Sequence, residues 1–142
     1  MVLKMSVNRI DGRSFDQLRP LQLVCGVNPY AEGSAEISCG KTKVLVSVSV
    51  EKEIPKWMDA GRGGWITAEY GMLPRATHTR NLREASIGKQ GGRTMECQRL
   101  IGRVLRQAAK LSLLSGLTFN VDCDVIVADG GTRTAAITGA WA

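Results

Sequence analysis

A single histidine, His78, is all that 142 residues contain. A Ser–His–Asp triad or a histidine metal centre has little to work with, so His78 reads as part of a basic loop. Aromatic residues make up 5%. Trp57, Trp65, Trp141, Phe15, Phe119, Tyr30 and Tyr70 are scattered, which argues against the stacking stripe of a single-strand nucleic-acid platform. Cys25, Cys39, Cys97 and Cys123 lie far apart with no Cys-x-x-Cys pair. A zinc site or small disulfide framework is unsupported. The cysteines read as reduced, mostly small core residues of a cytosolic, cytoplasmic protein. No stretch approaches the ~18 apolar residues of a membrane span. The longest apolar pattern, Val44 to Val50, is broken by Ser47 and Ser49. Met1 to Ser6 lacks a long apolar segment, so no secretory signal is expected.

What is present is one domain's worth of chain with an uneven charge. Hydrophobic residues make up 44% and charged residues 23%, ordinary values for a globular protein. The formal net charge is +6. Between Gly71 and Arg106 stand Arg75, Arg80, Arg83, Lys89, Arg93, Arg99, Arg103 and Arg106 against only Glu84 and Glu96. That quarter of the chain holds the whole excess. Arginine's rigid fork suits phosphate better than lysine's point charge. A polyanion surface, nucleic acid being the commonest such partner, and a solvated helix face are both compatible with this pattern.

The hydrophobic periodicity predicts an α/β chain. Asp11 to Pro20 reads as an irregular lead-in. Leu21 to Cys25 and Ala35 to Cys39 read as short strands. Val44 to Val50 alternates with a period of two, and Gly40-Lys41 turns it back on its predecessor as an antiparallel hairpin. Gly40-Lys41-Thr42 looks like the end of a P-loop, but Ala35 stands where the first glycine belongs and a strand follows, so a hairpin turn is the better reading. Asp59 to Gly64 reads as a flexible loop and Trp65 to Tyr70 as another strand. Gly71 to Gly92 is a long basic loop with room for a helical turn, and such loops are often functional. Cys97, Leu100, Ile101, Val104, Leu105, Ala108 and Leu111 mark one buried helix face, with Arg99, Arg103, Arg106 and Lys110 opposite. Leu117 to Val127 alternates again. Asp129 to Thr134 then leads into a last short helix, marginal by its length.

Three local patterns carry chemistry. Gly130-Gly131-Thr132-Arg133-Thr134 joins a strand to a helix start, where backbone N–H groups and the helix dipole favour an anion. A tight turn with an N-cap threonine explains the same residues. Gly91-Gly92-Arg93-Thr94 repeats the arrangement before the long helix. Asp122 and Asp124 share a strand face, and a solvated polar face is favoured there over a paired-carboxylate or metal site.

Several longer words resemble the ribonuclease PH family. They are Asp11-Gly12-Arg13 with Asp16-Gln17-Leu18-Arg19-Pro20, Ala31-Glu32-Gly33-Ser34, Gly40-Lys41-Thr42-Lys43-Val44, and Gly64 through Thr77. They continue with Gln90 through Glu96, Gln98 through Arg103, Asp122-Cys123-Asp124, and Asp129 through Thr134. The similarity covers nearly the whole chain after a short extension through about Val7. It implies an α/β (α+β) fold of mixed sheets with packed helices, ribonuclease PH-like and ribosomal protein S5 domain 2-like. It implies a single domain over residues 1–142 that lacks the family's C-terminal part. Such enzymes attack the 3′-terminal phosphodiester of RNA with inorganic phosphate and release nucleoside diphosphates; the reverse reaction adds nucleotides. By that resemblance Arg93, Gly131, Thr132 and Arg133 hold the phosphate co-substrate. Arg75, Arg80 and Arg83 contact RNA. The substrates are precursor tRNA and other structured RNA 3′ ends, and the assembly is a homo-oligomeric ring of six with no membrane association. The resemblance places the carboxylates for Mg2+ and proton transfer beyond residue 142, so no metal ligand is expected in this chain. The helix breaking off at the end is expected to leave apolar surface uncovered. Alternatives are an inactive fragment that only binds RNA or other subunits, and a structural subunit of an exosome-like ring.

Overall fold

A computed structural model describes residues 9–59, 61 and 63–142. The reading of residues 1–7 as an extension without a signal lies outside those residues, as do positions 60 and 62 of the glycine-rich loop. Strand β1 spans Leu21–Cys25, β2 Gly33–Cys39, β3 Thr42–Glu51 and β4 Trp65–Met72. The one-turn helix α1 (Glu84–Ile87) and the long helix α2 (Gly92–Ala108) follow, then a 3-10 turn at Leu111–Leu114, β5 (Thr118–Val127) and α3 (Thr132–Trp141).

The strands form one mixed sheet in the order β1-β2-β3-β5-β4. β1, β2 and β3 are an antiparallel meander. Cys39 faces Thr42 across a two-residue turn, and Gly40 supplies the positive φ of 59° that this tight turn needs. β5 returns antiparallel to β3, while β4 lies parallel to β5. The parallel pair needs a crossover, and α2 provides it.

Register puts Ala35, Val46, Cys123 and Tyr70 on one face and Ser34, Ser47, Asp122 and Glu69 on the other. The first row is buried. α2 packs there on β4, and α3 on β3, β2 and β5. α2 seats Cys97, Ile101, Gly102 and Leu105. α3 seats Thr132, Ala135, Ala136 and Gly139. A Cβ at Gly139 would stand 2.8 Å from Ile37 Cγ2, so this glycine sets how closely α3 lies on the sheet. Ten residues make a weak isolated helix; packing of its small-residue face holds it.

Four expectations need correction. The long helix ends at Ala108, because Ala109 is extended (φ −93°, ψ 144°) and the Leu111 carbonyl accepts the Gly64 N–H at 2.9 Å. Leu111 and Lys110 are therefore outside it. Arg106 is not on a free basic face: it donates to the Ile66 carbonyl at 2.7 Å and lies 4.4 Å from the Trp65 ring centroid. Trp57 and Trp65 are not scattered; their rings meet edge to face at 4.8 Å. Thr118, which the alternation puts on the same face as Asp122 and Asp124, is buried rather than solvated, and its hydroxyl donates to the Glu53 carbonyl at 2.6 Å. Cys97 and Cys123 are core residues, but Cys25 is exposed, because no helix covers edge strand β1. Near the end of α3 a groove of about 470 Å³ is lined by Ala35, Val46, Val48, Val50, Phe119 and Ala140 among others.

Candidate active site

Parallel pairing decides where the two glycine-rich turns go. β4 and β5 point the same way, so their C-terminal ends share one edge of the sheet. The helix after each strand starts at that edge, where ligands of parallel α/β units bind. One contact joins the two helices near their starts, and a second ties the start of α3 to β4. Arg133, the second residue of α3, donates to Glu96 Oε1 in α2 at 2.8 Å. The Tyr70 hydroxyl, on β4, and Thr132 Oγ1, the first residue of α3, are hydrogen-bonded at 2.8 Å. Burial raises the pKa of the Tyr70 phenol, against the smaller opposing influences of the Thr132 hydrogen bond and Arg93.

Each turn is built for its position. Gly130 and Gly131 both have positive φ, 82° and 70°, which side-chain-bearing residues rarely adopt. Gly131 is the residue before α3, and no side chain caps the helix there. Thr132 is therefore not an N-cap: it is buried and its hydroxyl turns to Tyr70. The turn is strapped from behind. The Arg19 guanidinium donates to the Asp129 and Gly130 carbonyls at 2.8 and 3.1 Å. The Thr42 hydroxyl donates to the Gly130 carbonyl at 2.6 Å and accepts the Asp129 N–H at 3.0 Å. At α2, Gly91 precedes the first turn, also without a cap of its own. Glu84 supplies it from α1: its Oε1 accepts the Gly91 N–H at 3.1 Å and the Thr94 hydroxyl at 2.7 Å. Glu84→Ala is expected to cost about 1 kcal/mol, the worth of a lost cap, readable as a lower melting temperature by circular dichroism.

Arg93 is exposed, and Arg133 half-exposed in its pair with Glu96. Such surface pairs are worth at most about 1 kcal/mol, so releasing Arg133 from Glu96 costs little. Arg75, Arg80 and Arg83 are exposed along the loop from β4 to α2. The loop is stiffened from within: Asn81 Nδ2 donates to Thr77 Oγ1 at 2.9 Å, and the Asn81 N–H to the Pro74 carbonyl at 2.9 Å.

The opposite sheet face is acidic. A cleft of about 780 Å³ is lined by Glu69, Asp122 and Asp124 and, from the loop, by Glu84 and Lys89 among others. Burial, followed by Glu69 and Asp124, raises the Asp122 pKa. Burial, with Asp122 and Asp124, pushes the Cys123 thiol up to about 12, so that thiol stays protonated and unreactive. Among the described residues no group of three His, Cys, Asp or Glu side chains is placed to hold a metal. These residues do not make up the Mg2+ site, whose ligands the resemblance assigns to positions beyond residue 142. No helix of the described residues is long and apolar enough to cross a membrane.

Tyr70, Glu84, Arg19 and Thr42 went unmarked in the sequence as parts of this site. Glu84 carries a readable signal, an acid just before a helix that lacks a capping side chain. The other three act through contacts that only the fold creates.

Residues 17–142 match the ribonuclease PH model, described as the 3′ exoribonuclease family, domain 1. The chain belongs to the ribonuclease PH family. That family is phosphorolytic and acts from the RNA 3′ end. Ribonuclease PH of Caulobacter vibrioides is 62% identical over 129 residues, covering 91% of this chain and 54% of that protein. Ribonuclease PH of Maricaulis maris is 58% identical over 133 residues, covering 94% and 56%. The chain thus spans about half the length of these curated relatives. Among solved structures, an Archaeoglobus fulgidus exosome with RNA bound to the active site superposes with a TM-score of 0.81 at 29% identity, covering 94% of this chain and 53% of that one. An archaeal exosome core gives 0.74 at 28% identity, covering 95% and 51%. These ribonuclease PH-like neighbours carry the same mixed sheet and packed helices.

Proposed function

We propose that this chain is the phosphate- and RNA-gripping part of a phosphate-dependent 3′→5′ exoribonuclease that trims precursor tRNA in the cytoplasm and works as a homo-oligomeric ring of six. The observation that carries the reading is the convergence of two helix N-termini, each with an arginine in its first turn, joined by the Arg133–Glu96 contact. Inorganic phosphate is the co-substrate. Arg93 and Arg133 neutralise it, and the backbone N–H groups of Gly131 and Thr132 orient it. A phosphate oxygen attacks the phosphorus of the last phosphodiester. The bond to the 3′ oxygen of the preceding nucleotide breaks, and that oxygen takes up a proton. A nucleoside diphosphate leaves, and the RNA is one residue shorter. Such transfers rest mainly on positioning and charge neutralisation. Arg75, Arg80 and Arg83 hold the RNA backbone.

The test is a tRNA with extra 3′ nucleotides, incubated with the chain and magnesium, with and without phosphate. Nucleoside diphosphates are expected only with phosphate. Bound tRNA without release favours a second reading, an RNA-binding fragment without chemistry. Arg80→Ala is expected to weaken tRNA binding and lower the slope of log affinity against log salt by about 0.7–0.9. An unchanged slope in filter binding between low and high salt removes the loop from the interface.

A further inference from the structure

We infer that Tyr70 is a positioning residue of the phosphate site, aligning Thr132 so that its hydroxyl proton is offered to the bound anion. The inference rests on the phosphate reading of the Gly131–Arg133 turn.

The argument begins with what a hydroxyl can do. Thr132 Oγ1 has one proton to donate and two lone pairs. Its only hydrogen-bond partner among the described residues is the Tyr70 hydroxyl, at 2.8 Å. When the phenol donates, Thr132 Oγ1 is the acceptor and its own proton remains available. A chain from phenol to threonine to anion then runs in one direction, and each link polarises the next. The phenol is suited to the donor role. Tyr70 is 4% exposed, and burial raises its pKa further above neutrality, so it keeps its proton.

Placement supports the same role. Tyr70 sits on β4 opposite Cys123 of β5, and both side chains are buried in the core under the helices. Thr132 is the first residue of α3, directly after two glycines of positive φ. Glycine gives the turn its shape but no side chain to fix it. Arg19 and Thr42 hold the carbonyl side of the turn. Tyr70 holds the helix side, through its hydrogen bond to Thr132.

Calorimetric titration with inorganic phosphate at fixed ionic strength tests this on the 142-residue chain, alongside melts without phosphate. Tyr70→Phe keeps the ring and removes the donor. It is expected to weaken phosphate binding about threefold to tenfold, and Thr132→Val by at least as much. Thr132→Ser, which keeps the hydroxyl, is expected to bind like the parent. Combining Tyr70→Phe with Thr132→Val is expected to add little to Thr132→Val alone. If Tyr70→Phe melts lower but binds phosphate as the parent does, Tyr70 is only structural and the inference fails while the phosphate site stands. If Tyr70→Phe does not fold, equal binding by the Ser and Val variants overturns the inference. If the parent chain binds no phosphate, the phosphate reading itself falls and takes the inference with it.

Discussion

Arg93→Ala is expected to weaken inorganic phosphate binding about 10-fold to 100-fold while changing RNA affinity far less. A hydrogen bond to a charged group contributes roughly 1.5–3 kcal/mol, and Arg93 is exposed at the start of α2, so little packing is lost with it. On the proposed reading the RNA keeps Arg75, Arg80 and Arg83. Phosphate titration followed by filter binding of tRNA at constant salt separates the two affinities. Arg133→Ala is expected to act in the same direction but less, because its guanidinium first has to leave Glu96. A larger loss of RNA affinity than of phosphate affinity would falsify the assignment.

Ile101→Ala is expected to destabilise the fold by about 3 kcal/mol, within the usual range for removing a fully buried aliphatic side chain. Ile101 is 0% exposed and belongs to the main core with Cys97, Leu105 and the β4 residues Ile66 and Ala68. For a domain of this size the melting temperature should fall by roughly 10 °C. The consequence reaches the site, because α2 is the lever that presents Arg93 and Glu96. A drop of only a degree or two would mean that the seat of α2 on β4 repacks freely.

Much of this fold was legible from period and punctuation alone. The alternation of Val44, Val46, Val48 and Val50 marked β3, and Gly40-Lys41 its hairpin, because neighbouring residues decide both. The apolar repeat from Cys97 marked α2. Its end was misplaced because the Leu111 carbonyl is claimed by the Gly64 N–H, a partner far away in the chain. Arg106 was misread for the same reason: periodicity puts it with Arg99 and Arg103, and only the arrival of Trp65 draws it inward. Both glycine-rich turns could be read as anion sites, yet nothing local says that they share one edge. The parallel pairing of β4 with β5 is what brings them together, and it is a property of the whole topology. Tyr70 shows the limit most clearly. In the sequence it is one apolar residue in a strand; its chemistry comes from a threonine 62 positions later.

The strand order also fixes a history for each new copy of the chain. β1, β2 and β3 pair with close neighbours and are complete once Glu51 has been made. Strand β5, which fills the other side of β3 and is the only partner of β4 among the described residues, is not made until residues 118–127. Until then β3 is an unpaired edge, with Val44 and Val46 carrying the apolar face. Bare edges of this kind recruit strands from other chains, and pairing across long separations closes slowly. The vulnerable interval of this protein is therefore its own translation. Conditions that slow elongation between β3 and β5 should raise aggregation without any change in the finished protein's stability.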